Sequence, residues 1–143
     1  MAIRTKGNVK LEYDTSATDT PSWVNVPGVF TNSGGGRTVA QIDATDFDST
    51  GTDREFIAGL GDNNARTFEM HYAPGDTTQE AIRTAHYANT SKKFRLTWGT
   101  AHGTTETYTA LYAIESYGDP TGPIDGKLTV SFQLKQSGSG TWA

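Results

Sequence analysis

Serine, histidine and aspartate all occur in this chain, but none stands at a spacing that does chemistry. A nucleophilic serine on a strand-to-helix elbow needs G-x-S-x-G, which is absent. His71, His86 and His102 fall on an expected strand, an expected helix and an expected turn. No two of them have the spacing of a metal-ligand pair, so each is read as a surface or hydrogen-bonded histidine. Gly34-Gly35-Gly36 lacks the Lys-Ser/Thr that a phosphate cradle requires. Asp46-Phe47-Asp48-Ser49-Thr50-Gly51 opens like a calcium loop, with oxygen donors at the first, third and fifth places and glycine at the sixth. The twelfth place needs a bidentate glutamate and holds Ile57, and the flanks read as strand and loop, so an Asx-rich turn is the reading. Asp43 and Glu69 would be a carboxylate pair if their strands paired, but no sugar-binding aromatic platform accompanies them. The expectation is no catalytic residue, no metal ligand, no cofactor and no enzyme; a hydrolase on a β scaffold has no constellation to support it.

The elements point elsewhere. Six segments alternate apolar and polar residues with period two, as half-buried strands do. They are Val9–Tyr13, Ala40–Thr45, Thr67–Tyr72, Lys93–Trp98, Thr107–Ile114 and Lys127–Lys135. The last is the most regular, with Leu128, Val130, Phe132 and Leu134 on one face. One helix is expected, about Thr77–Asn89. Asp76 or Thr77 can cap it, Thr77 with Glu80 forms a capping box, and Ala81, Ile82, Ala85 and Ala88 make a narrow apolar stripe. Gly99–Gly103 suits a hairpin turn, and Gly118–Pro123 a rigid polar loop.

The 143 residues fit a single domain, 1–143, with one core. Hydrophobic residues are only 34% of the chain, but six Phe, six Tyr and three Trp supply large buried surfaces. There is no cysteine, no run long enough for a membrane helix and no apolar leader in Met1–Lys10, so folding in a cytoplasm is expected. The net charge of −4 and the scattered basic residues exclude a specific nucleic-acid binder.

Two features imply self-assembly. Several strands have one apolar face and one of Thr, Ser and Gln, and few Lys or Pro residues guard their edges, as expected of edges that pair with neighbours. The stretch Phe47–Arg66 has no clear periodicity, yet it mixes Asp48, Asp53, Arg54, Glu55 and Asp62 with Phe56, Ile57 and Leu60. An apolar trio in a solvated loop needs a cover, and another chain is a reasonable one. Residues 137–143 read as a flexible C-terminal arm because Ser137-Gly138-Ser139-Gly140 is linker-like.

The succession Trp23-Val24-Asn25-Val26-Pro27-Gly28-Val29, Gln41-Ile42-Asp43-Ala44-Thr45-Asp46-Phe47-Asp48, Arg54-Glu55-Phe56-Ile57-Ala58-Gly59-Leu60-Gly61-Asp62, Tyr72-Ala73-Pro74-Gly75-Asp76 and Lys135-Gln136-Ser137-Gly138 resembles the major tail protein, or tail tube protein, of long-tailed, siphovirus-like bacteriophages. The resemblance implies a mainly β fold, a β-sandwich or barrel-like tail-tube fold with one flanking helix, shared with the inner tubes of contractile injection systems. It implies a structural virion protein whose copies form stacked, hexameric rings and an acidic-walled conduit for DNA ejection. Partners so implied are further copies, a tape-measure protein and tail terminator or tip proteins; DNA passes without specific binding and no membrane is involved. The location implied is the virion tail, with the host cytoplasm during assembly. Lumen-facing candidates are Gln41, Asp43, Thr45, Glu69, Thr107, Thr109, Thr129 and Ser131. The 47–66 segment is the implied inter-ring loop, with Asp48, Asp53, Arg54, Glu55, Phe56, Ile57, Leu60 and Asp62 as its contact candidates. The competing reading is a β-sandwich binding module, carbohydrate-binding or capsid-decorating. That module would expose clustered aromatics, where a tube subunit would bury Tyr108, Tyr112 and Phe132.

Overall fold

A computed structural model describes residues 9–16, 20–46, 51, 53–99 and 105–143. Its strands are β1 (Val9–Asp14), β2 (Trp23–Asn25), β3 (Val29–Gly34), β4 (Arg37–Asp43), β5 (Phe56–Asn63), β6 (Arg66–His71), β7 (Lys92–Trp98), β8 (Glu106–Tyr117) and β9 (Thr129–Trp142), with one helix, α1 (Thr77–Tyr87), between β6 and β7. Seven strands form one antiparallel sheet in the order β2-β1-β7-β8-β9-β6-β3, and β4 and β5 pair with each other as a separate ribbon. The sheet curls into a half-barrel. The expected mainly β architecture with one flanking helix is therefore present.

Alternation builds the core. Leu11 and Tyr13 of β1, Phe68 and Met70 of β6, Phe94 and Leu96 of β7, Tyr108, Ala110, Tyr112 and Ile114 of β8, and Val130, Phe132 and Leu134 of β9 all bury on one face. Ile82 and Ala85 of α1 close that face. Fully burying side chains of this size contributes about 1.5–3 kcal/mol each. Tyr108, Tyr112 and Phe132 are 8%, 1% and 0% exposed, as a tube subunit requires. Burial pushes the Tyr112 phenol up, Arg66 opposing it.

The helix starts at Asp76, whose carboxylate accepts from the Gln79 backbone N–H at 3.0 Å. Buried Gln79 then ties α1 to the sheet: its Nε2 donates to His71 O at 2.9 Å, and its Oε1 accepts from Ala73 N at 3.0 Å. The helix ends where Asn89 turns left-handed (φ 55°), with Thr90 N donating to Ala85 O and Asn89 N to His86 O. Ala88, expected in the apolar stripe, is instead the exposed C-cap.

Two expectations need correction. Residues 137–142 are not a loose arm: β9 continues through them, paired with β8 from Leu111↔Ser137 to Tyr108↔Trp142. Ala143 exchanges backbone hydrogen bonds with Thr107 at 2.8 and 2.9 Å, and Trp142 stacks on Trp98 at 5.4 Å. Of the linker-like glycines Gly140 has a packing role, since a Cβ there would collide with the Tyr108 ring, while Gly138 takes a left-handed φ of 77°. The 47–66 segment is also not all loop, because its second half is β5.

Candidate assembly surfaces

The face of the sheet opposite the core is built by the same alternation. Register places Thr31 beside Glu69 and Glu69 beside Ser131; Thr67 lies beside Gln133, and His71 beside Thr129. Further across, Arg95 lies beside Thr109, Thr97 beside Thr107, and Glu12 beside Arg95. The result is a broad wall rich in short hydroxyl side chains, with Lys10, Glu12, Glu69, Lys93 and Arg95 set among them. On it Arg95 pairs with Glu12 at 2.6 Å, with the guanidinium also 4.6 Å from the Trp23 ring centroid.

Five of the eight lumen-facing candidates, Glu69, Thr107, Thr109, Thr129 and Ser131, stand together on this wall. Gln41, Asp43 and Thr45 do not. They lie on or just beyond β4, which pairs with β5 and with no strand of the large sheet. Asp43 and Glu69 are accordingly not a carboxylate pair: β6 takes β3 and β9 as its neighbours. Asp43 accepts from Thr45 N at 2.9 Å, and this bond holds its carboxyl below the usual carboxylate range. Its contact with Arg54, at 3.9 Å, is exposed.

The reason β4 leaves the sheet is local. Strands β3 and β6 run on into β4 and β5, bridged by Gly35 N to Ala65 O and Asn64 N to Gly36 O, each 3.0 Å. At that junction Gly34, Gly35 and Gly36 have φ of 80°, 85° and 83°. Three successive left-handed residues turn the ribbon out of the sheet, and only glycine adopts them cheaply. A Cβ on Gly34 would lie 2.4 Å from Ala65 O, so the turn also needs bare backbone there. Lys135 pins the base of the resulting arm, its Nζ reaching Asp62 Oδ1 at 3.1 Å and Asn63 O at 2.7 Å.

Beyond that base the arm has little support among the described residues. Ile42, Phe56, Ile57 and Leu60 are 50%, 51%, 56% and 90% exposed. Ile42 lies opposite Ile57, and Asp43 opposite Phe56. Asp53, Arg54 and Glu55 are also exposed near its tip, and Asp62 is at its base. Asp48 lies outside the described residues, as do most of the calcium-like hexapeptide and His102. Among the described residues no group of three or more His, Cys, Asp and Glu is placed to hold a metal ion.

Sequence reasoning missed β2, β3 and β5. β5 reads FIAGLGDN, in which Gly59 and Gly61 break the alternation. Both glycines sit where a partner crosses closely: a Cβ on Gly59 would be 3.2 Å from Ala40 O, and one on Gly61 would strike the Arg37 guanidinium. A glycine spaced two from another, facing a regular strand, was the available signal.

Residues 9–143 match the family described as lambda phage tail tube protein, TTP. Among solved structures the chain is similar to the SPP1 tail tube, at 19% identity over 94% of this chain and 76% of that one, with a TM-score of 0.68. It is similar to the tail of an empty gene transfer agent particle, refined helically with C6 symmetry, at 16% identity over 95% and 94%, with a TM-score of 0.70. It is also similar to the sheath-tube complex of PVC, an extracellular contractile injection system, at 12% identity over 95% and 88%, with a TM-score of 0.70. At such identities the likeness is one of fold. No curated protein matches the sequence.

Proposed function

We propose, for a chain that belongs to the lambda phage tail tube protein family, that it is a structural virion subunit whose copies close into rings, the rings stacking into the tail tube through which DNA leaves the capsid. It works by assembly and not by catalysis. The observation that carries this reading is the β4–β5 arm. An isolated two-stranded ribbon is marginal in water, and among the described residues this one leaves four large apolar side chains at least half exposed. Contact with a copy in the next ring supplies that cover. The arm thus takes the role expected of the 47–66 segment, with β4 added to it.

A ring of six is supported by the C6 symmetry of the gene transfer agent tail. The hydroxyl-rich wall, represented by Glu69, Thr107, Thr109, Thr129 and Ser131, faces the lumen in this reading. Around these five residues the side chains are short and mostly uncharged and give DNA little to hold, and the subunit's net charge of −4 adds a weak repulsion. The three candidates on and beside β4 belong with the arm instead. A tape-measure protein inside the tube and a terminator at its end are the further partners proposed, with assembly in the host cytoplasm.

The test removes the arm at its junction. Replacing residues 37–63 by a short turn should leave a folded subunit, because the sheet's core residues all lie outside that span. Electron microscopy should then show no tubes. Tubes of ordinary length from this variant would sink the proposal.

A further inference from the structure

We infer that the arm of one copy seats in a groove at the opposite end of a second copy, lined by His71, Tyr72, Pro74, Lys127 and Leu128. This rests on the proposed role of the arm and names the surface that receives it.

Stacking of identical subunits is heterologous: what protrudes at one end must fit what is hollow at the other. The placement meets that requirement. Strand β6 begins at the arm's junction with Arg66 and ends at His71, about 17 Å away at the rise of a β-strand. The groove opens at that far end, with a volume of about 420 Å³. Tyr72 N donates to Leu128 O at 2.9 Å, which ties two of its lining residues together, and His71 is held to the neighbouring Gly28 by a 2.9 Å backbone bond.

Surface chemistry matches as well. Among the described residues twelve large apolar side chains are exposed. Four are on the arm, and three more, Phe30, Ile124 and Leu128, lie in or near the far-end segments, at 42%, 103% and 45% exposed. Phe30 stacks on His71 at 4.5 Å, extending the apolar surface beside the groove. Charge fits in the same sense. The segment 43–55 carries Asp43, Asp46, Asp48, Asp53 and Glu55 against a single Arg54, while the groove presents Lys127. Asp119 and Asp125 of the same loop are not part of the lining. Ile57 and Phe56, next to the acidic tip, are the residues placed to enter, with Asp53 near Lys127.

The chain has no cysteine, so a pair can be introduced cleanly. In the double variant Ile57→Cys with Leu128→Cys, oxidation under tube-forming conditions should give a ladder of cross-linked chains beyond the dimer on a denaturing gel, with no ladder from either single variant. Tubes without a ladder overturn the inference. A second measurement does not depend on cysteine: Lys127→Glu should raise the critical concentration for tube formation several-fold, and Asp53→Lys should restore it in the double variant. A Lys127→Glu chain that assembles like the parent overturns the inference too. If these fail while removal of residues 37–63 still abolishes tubes, only the groove assignment falls. If arm removal leaves tubes intact, the reading beneath it falls.

Discussion

Gly34, Gly35 and Gly36 share a left-handed φ near 80°, yet they do not constrain the chain equally. At Gly34 an added Cβ meets a backbone oxygen at 2.4 Å, whereas at Gly36 the nearest atom is the Asn64 amide nitrogen at 4.0 Å. Alanine at 36 should therefore cost little beyond the left-handed conformation, about 1–2 kcal/mol. Alanine at 34 must also push the β5–β6 junction away, and should cost more, about 2–4 kcal/mol by analogy with overpacking. Chemical denaturation of the two variants checks the order; equal losses would show that the junction yields freely. Asp14 is a second residue-scale case. Burial opposes its charge, but backbone N–H groups of Ser22 and Ser16 donate to its Oδ1 at 2.9 and 2.8 Å, and these bonds hold the carboxyl below the ordinary aspartate value. A depressed carboxylate stabilises the fold above its unfolded pKa, near 3.9, and that contribution fades as pH falls through the lower folded value. Asp14→Asn should accordingly cost about 1.5 kcal/mol at pH 7, the scale of a hydrogen bond to a charged group, and progressively less below pH 4. A cost independent of pH would mean that packing, and not charge, fixes this corner.

At the scale of elements, legibility followed periodicity. β6, β7, β8 and the first half of β9 alternate cleanly because one face is buried in the core and the other is wet, so their residues carry both the strand and its orientation. The helix was legible from Asp76 at one end to Asn89 at the other. The arm was not, for a physical reason: a ribbon with no core of its own has no buried face to impose alternation, and β5 instead carries glycines where its partner strand presses close. Its unusual composition was nonetheless visible, an apolar trio among carboxylates. The second half of β9 was obscured in the opposite way, since Ser137-Gly138-Ser139-Gly140 looks like a linker while Gly140 makes room for Tyr108. The candidate lumen residues split along the same line. Those on alternating strands of the large sheet share a face, and those on β4 were drawn in by a pattern that three left-handed glycines carry out of the sheet.

For the whole molecule, the proposed lumen-facing placement of the hydroxyl-rich wall makes its decisive property what a translocating polyanion would feel. The wall is not uniformly acidic, since Lys10, Lys93, Arg95 and Lys135 stand on it; Arg95 and Lys135 are paired, with Glu12 and Asp62 respectively, and Lys10 and Lys93 are exposed on the β1–β7 side, away from Glu69. Paired charges present little free cation, and at physiological salt the field of an exposed charge fades within about 8 Å. Glu69 lies between Thr31 and Ser131, with no cation opposite it in register. Reversing it changes the wall by two charges per copy and repeats that change around every ring. Glu69→Lys should leave the core and both ends of the subunit untouched, so tails of ordinary length should form. DNA release from the particles should slow by roughly tenfold at low ionic strength, because each ring then offers ammonium groups to the phosphates. Salt should restore the rate, with most of the effect gone near 1 M, where the Debye length is about 3 Å. Glu69→Gln, which removes charge without adding a cation, should change the rate far less. Release from Glu69→Lys particles at the parental rate in low salt would place this wall away from the lumen, on the outside of the tube or in the contact between neighbouring copies.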